Sequence, residues 1–179
     1  MLRILTAGLL AGLSMFVFGV VEHMAFEWET RTLLSLAADP QSRLLETLKS
    51  PEFEPGMYGF PANKADAGKE PSGILLLWPR SAAEIEPRQL LGEFLAGLVA
   101  CTFAAWIVSQ LSDQCQFWQR WRVVLVTGLI GWLAINTSYW LWYRFSWEFT
   151  RDSLYCALLE WSSSGLIIAA IVRSENSEG

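Results

Sequence analysis

Residues 4–21 read ILTAGLLAGLSMFVFGVV, an apolar run without a single charge. A hydrocarbon core of roughly 30 Å takes about 20 helical residues to cross, and this run is long enough. Leu90–Ser109, Val123–Trp142 and Leu154–Val172 meet the same length rule. In a soluble four-helix bundle, polar residues recur at every third or fourth position of each helix; the first and third stretches have almost none. The expected fold is therefore an all-α membrane protein. Its four transmembrane helices fall at 4–21, 90–109, 123–142 and 154–172, with a small α/β extramembrane cap at 22–89 between the first and second.

Composition agrees with that class. Hydrophobic residues make up 53% of the 179-residue chain and charged residues 17%, with mean hydropathy +0.30; ordinary soluble domains carry about a quarter charged residues. A net charge of −5 and a pI near 4.9, without a dense Lys/Arg cluster, argue against nucleic acid as a partner. Cys101 and Cys156 fall in spans and Cys115 in a polar link, so no disulfide staples the 22–89 loop. Leu98–Cys101 imitates a lipoprotein cleavage box but lies inside a span. The first apolar run outlasts a secretory signal core, and Glu22 and His23 stand where small residues would mark cleavage. Gly8 and Gly12, continued by Gly19 on the same face, supply the close-packing stripe of a retained helix.

Inside the loop, Leu33–Ala38 and Leu44–Leu48 read as helical, with Asp39 as N-cap and Pro40 at the first helical position. Met57–Phe60 and Gly73–Trp78 read as the strands of a hairpin around the turn-rich Asn63–Pro71. Such a cap is too small for its own core and is expected to rest on the bundle or on a partner. Gln110–Arg122 and Arg144–Asp152 read as short links, which makes the second, third and fourth helices successive antiparallel neighbours in an up-down bundle. Trp118, Trp121, Trp140, Trp142, Trp147, Tyr139 and Tyr143 flank the third helix as interfacial belts do. The count of basic residues ties between the two sides. Arg3 and the terminal amine before a first helix followed by Glu22, Glu27 and Glu29 point to cytoplasmic termini and a periplasmic 22–89 loop.

Glu160 is the leading candidate for chemistry, because an ionisable group within a span costs several kcal/mol unless it faces the bundle interior, finds a partner or stays protonated. At 100° per residue it shares a face of the fourth helix with Ser153, Ala157 and Ser164. Glu93 lies on the small-residue side of the second helix with Ala96, Gly97 and Ala100, about one turn deep against two for Glu160. Arg88, Arg144 and Arg151 stand at the same rim as candidate ion-pair partners. Glu22 and His23 end the first helix, aimed inward by its glycine stripe. These residues read either as a proton or cation relay, or as interhelical glue. A lone histidine with scattered Met24 and Met57 falls far short of a metal-ligand pattern, so neither a metal nor a cofactor is expected. Asn136, Thr137 and Ser138 match a glycosylation sequon within a span, where hydrogen bonding between helices is the natural use. Without a P-loop, GxGxxG, HExxH or Ser-His-Asp set, an enzyme is the least supported class.

At Pro55-Gly56-Met57-Tyr58-Gly59-Phe60-Pro61, Pro71-Ser72-Gly73-Ile74-Leu75 and Ser138-Tyr139-Trp140-Leu141-Trp142-Tyr143 the chain resembles a set of uncharacterised bacterial inner-membrane proteins. The resemblance covers most of the chain. It implies one N-terminal helix, a loop with a Pro-Gly-x-Tyr element and three further helices in a bacterial inner membrane, and it carries no activity or site residues. The expectation is a non-enzymatic accessory or assembly subunit embedded in lipid, joined to a membrane-protein partner or to itself. The alternative is a small translocator or proton-coupled carrier using Glu160 and Glu93.

Overall fold

A computed structural model describes residues 1–28, 30–51, 53–61, 68–78, 86–112 and 114–172. Arg80, Arg173, Glu29 and most of the turn-rich stretch after Asn63 lie outside the described residues. Two compact units result, one formed by 1–32 with 86–179 and the other by 33–85. The first contains four helices long and apolar enough to cross a membrane. These are α1 (Leu2–Val21, continued by a π-helical turn Glu22–Phe26), α3 (Pro87–Ser109), α4 (Phe117–Trp142) and α5 (Trp147–Ile171). The second unit holds α2 (Ala38–Leu48) and a two-stranded antiparallel sheet of β1 (Gly56–Phe60) and β2 (Gly73–Leu77). The protein is thus an all-α membrane protein with a small α/β element between its first two spans.

Each long helix starts earlier than the apolar run inside it, and at α3, α4 and α5 polar caps extend the hydrogen-bonded backbone past the oily segment. Glu86 and Gln89 form a capping box ahead of α3, with Pro87 at the first helical position, where its missing N–H costs nothing. Gln116 and Gln119 repeat the device at α4, and the Ser146 hydroxyl accepts the Phe149 N–H at 3.1 Å at α5. The links read at Gln110–Arg122 and Arg144–Asp152 are shortened accordingly. α4 stops where Arg144 turns left-handed at φ 60° and the Phe145 N–H returns to the Tyr139 carbonyl at 3.2 Å.

In the second unit the hairpin stands as expected, with Tyr58 opposite Leu75 and Phe60 opposite Gly73. Gly73 leaves room for the Phe60 ring, which a Cβ there would meet at 2.7 Å. Leu33–Ala38 is not a helix as read. The one helix begins at Ala38 with Ala37 as N-cap, so Asp39 and Pro40 fall inside its first turn. An acidic residue in the first turn complements the helix dipole as well as a cap would, and proline is tolerated there. None of this unit's described residues is buried.

The bundle departs from the expected neighbour order. α1 is central: it packs along α3 on one side and α5 on the other, α5 packs along α4, and α3 meets α4 and α5 only sparsely. The physical cause is in the α1 stripe. A Cβ at Gly12 would sit 2.7 Å from the Leu98 Cα, and one at Gly8 would sit 2.9 Å from the Thr102 Cα, so backbone lies against backbone where α1 crosses α3. A short link does not ensure such packing: α3 and α4 are joined by one and meet only sparsely, whereas α4 and α5 pack along each other. The α1–α3 contact uses up the Gly8/Gly12 face within one chain, which removes it as a dimerisation surface.

The core occupies one half of the bundle. Ala7, Ala11, Cys101, Ala104, Ala105, Val108, Val124, Ile168 and Val172 are buried there, around the start of α1 and the end of α5. Small residues dominate because, between helices in lipid, close van der Waals approach replaces the hydrophobic effect as the packing force. Outward-facing Leu2, Leu5, Leu9, Phe103, Ile130 and Leu133 are exposed, as lipid-facing side chains are. Arg120 ties the two helix ends of this half together, donating to the Ala169 carbonyl at 3.2 Å and to the Cys115 carbonyl at 2.6 Å.

Candidate functional site

The other half is open. Between α3 and α4, where the helices stand apart, lies a cavity of about 540 Å³. Glu22 and His23 from the π-helical turn, Glu93 from α3, and Ser153, Cys156 and Glu160 from α5 all line it, with Gly128, Gly131, Trp132 and Asn136 on the α4 wall. Four of the five intramembrane candidates read from the sequence therefore meet in one place. Glu22 is the most deeply covered, at 2% exposure. Glu93, expected in a packed face, is exposed on the cavity wall, where α4 meets α3 only sparsely.

Depth follows from the helix starts. Measured from Trp147, Glu160 lies about 20 Å along α5 at 1.5 Å per residue, mid-helix instead of two turns deep. Glu93 lies about 9 Å along α3. The cavity thus runs from the end of the bundle where α1 stops to the middle of α5. Gly19 makes room at its deep end, since a Cβ there would come within 3.0 Å of the Glu160 Oε1.

The α4–α5 wall is held by hydrogen bonds that cross between helices. The Trp132 indole N–H donates to the Ser153 hydroxyl at 3.0 Å, and that hydroxyl lies 3.2 Å from the Asn136 Oδ1 and 2.9 Å from the Thr150 carbonyl. The sequon residue Asn136 therefore serves helix contact, as its position in a span implied. Trp161 fits against Gly128, where any Cβ would fall on the indole ring. Gly128→Ala is expected to displace Trp161 and destabilise the α4–α5 contact by about 1–3 kcal/mol, the range for an overpacked core. Gly131→Ala is the matched control, since a Cβ there meets nothing within 4 Å. Thermal unfolding in detergent separates the two, and equal stability of both variants would contradict this packing.

The remaining candidates lie elsewhere. Ser164 is buried below the cavity and donates to the Ala11 carbonyl at 3.1 Å, which makes it α1–α5 glue. Arg88 pairs with Glu86 at the start of α3. Arg144 ends α4, and Arg151 pairs with its neighbour Asp152 at 2.8 Å. The rim network is instead built on Asp152, whose side chain is fully buried: Arg151 holds Oδ1, and Arg31 holds Oδ2 at 2.8 and 3.0 Å. Sequence reading placed Asp152 in a link and missed it. Its one signal was the Arg151-Asp152 pair beside Ser153 at the head of an apolar helix. Trp121, read as belt, is also repositioned: its indole donates to the Ser162 carbonyl at 3.1 Å between α4 and α5. Trp140 and Trp147 do gather at the helix ends, with ring centroids 5.8 Å apart.

Among the described residues no three His, Cys, Asp or Glu side chains come close enough together to hold a metal ion. The carboxylates are spread along the cavity wall, an arrangement suited to a hydrated path or an extended polar guest. No protein-family profile, curated protein or solved structure matches the chain. The functional reading therefore rests on the geometry of this cavity.

Proposed function

We propose that this multi-pass membrane protein is non-enzymatic and that its carboxylate-lined cavity takes up protons or small cations from one face of the membrane, as the vestibule of a proton-coupled carrier does. One observation carries the reading: Glu22, Glu93 and Glu160, from three separate helices, line a single cavity that reaches from the bundle end to mid-helix. Ionisable groups are expensive at that depth and mark ion or proton paths when they line a cavity together. The resemblance to bacterial inner-membrane proteins supports placing it in that membrane, and Arg3 with the terminal amine ahead of a first helix that is followed by acidic residues favours cytoplasmic termini with residues 22–89 periplasmic. The direct test is purified protein in liposomes carrying a trapped pH-sensitive dye. An imposed pH gradient should decay faster than in protein-free liposomes, and identical decay across a panel of alkali and organic cations would refute the reading.

A second reading, the accessory or assembly subunit, draws on the sparse meeting of α3 and α4. A partner's transmembrane helix bearing a basic residue would fill the gap and pair with Glu93. A tagged chain drawn from native membranes in mild detergent should then bring down a stoichiometric partner, whereas a lone carrier should emerge by itself or as a homo-oligomer.

A further inference from the structure

The segment that follows α1 does not leave the bundle directly. After the π-helical turn, Glu27 takes a left-handed conformation at φ 49° and redirects the chain along α5. Phe26 stacks on Trp28 with centroids 5.0 Å apart, Trp28 meets Tyr155 edge-on at 6.0 Å, and Arg31 reaches Asp152. At 100° per residue, the cavity-lining Ser153, Cys156, Ala157 and Glu160 fall within an arc of about 100° on α5, and Asp152 and Tyr155 occupy the adjacent arc. The segment is therefore anchored along the edge of the cavity, while its own first residues, Glu22 and His23, form part of the cavity wall.

We propose that the described residues 22–28 and 30–32 act as a gating strap at the mouth of the α3–α4 cavity, latched to α5 by the Arg31–Asp152 ion pair. The carboxylate is shared in a way that makes the latch separable. Arg151 alone holds Oδ1, so release of Arg31 from Oδ2 leaves the buried Asp152 paired and avoids the cost of a stranded charge. The Arg31 side chain is 47% exposed, so water can compete for it. The hinge is supplied by the π-helical turn, a local departure from α-helix that recurs where helices flex for function, and by the left-handed residue after it, which is strained for a side chain larger than glycine.

Cys156 reports on access from within the cavity. In the full-length chain carrying Cys101→Ala and Cys115→Ser, the modification rate of Cys156 by a small cationic methanethiosulfonate is measured in nanodiscs. Arg31→Gln should raise that rate about tenfold, the shift expected from losing one charge-assisted interaction. Trp28→Ala, which removes the aromatic anchor without touching the ion pair, should raise it too. Arg43→Gln, which breaks the exposed Arg43–Asp39 pair of α2, should leave it unchanged. Wild-type rates in both Arg31→Gln and Trp28→Ala, at unchanged helix content, would overturn the strap. The proposal rests on the cavity being the working site, and the two ideas fail separately. Faster labelling in a protein whose flux survives Glu160→Gln keeps the strap and removes the carrier; unchanged labelling with lost flux removes the strap alone.

Discussion

Gly12→Leu should prevent the bundle from assembling in its native form. The Leu98 Cα and N lie 2.7 and 3.0 Å from where a Cβ would stand, and these are backbone atoms that no side-chain rotation can move aside. The helices must separate, and separation at Gly12 also lifts Gly8 from Thr102 and draws Ala11 away from the Ser164 hydroxyl. Because α1 is the element that joins α3 to the α4–α5 pair, the loss is not confined to one interface. The expected destabilisation is about 3 kcal/mol or more, at the upper end for overpacking. It should appear as loss of a monodisperse peak on size exclusion and a markedly lower unfolding temperature. Leu10→Ile, on the exposed side of the same helix, should behave as wild type. A Gly12→Leu protein of wild-type stability would mean that α1 does not cross α3 at this point.

Glu160→Gln should abolish gradient-driven flux while leaving the fold intact. Glutamine keeps the length and hydrogen-bonding atoms of the side chain but neither takes up nor releases a proton, so structural glue survives the change and a relay does not. Glu93→Gln, nearer the cavity mouth, should slow flux without ending it, because it neutralises the approach and leaves the deep carboxylate in place. The double variant should lose no more than Glu160→Gln alone, the non-additivity expected of groups serving one path. Wild-type flux in Glu160→Gln would reduce the carboxylate to a packing role and favour the accessory-subunit reading.

The spans were legible because lipid imposes a length and a polarity that few other environments do: uncharged runs such as 4–21 admit little else. The glycine stripe was legible as a packing device, and the faces carrying Glu160 and Glu93 from helical periodicity alone, although Glu93 was read into a packed face and stands exposed on the cavity wall. Neighbour order was not legible. Short links constrain direction strongly and contact weakly, so the loop between α3 and α4 said nothing of the gap that becomes the cavity; only the backbone fit of Gly8 and Gly12 against α3 fixes it. Asp152 escaped notice because its partner Arg31 is remote in sequence, and no local pattern distinguishes a buried carboxylate from one at a membrane rim. Ser164, on the expected face of α5, turned out to serve α1, since a shared face in a bundle is divided between neighbours at different depths.

Uptake of protons or cations by the cavity requires that water and ions reach the α4 wall between α3 and α4. Gly131→Cys is suited to the test, because a Cβ there meets nothing within 4 Å and the position lines the cavity. The three native cysteines are replaced, and sealed, oriented vesicles are treated with a charged, membrane-impermeant thiosulfonate. Rapid modification from one side only, with the lipid-facing control Ile130→Cys unreactive, is the predicted result. Failure of Gly131→Cys to react from either side would contradict a water-reached cavity and the function built on it.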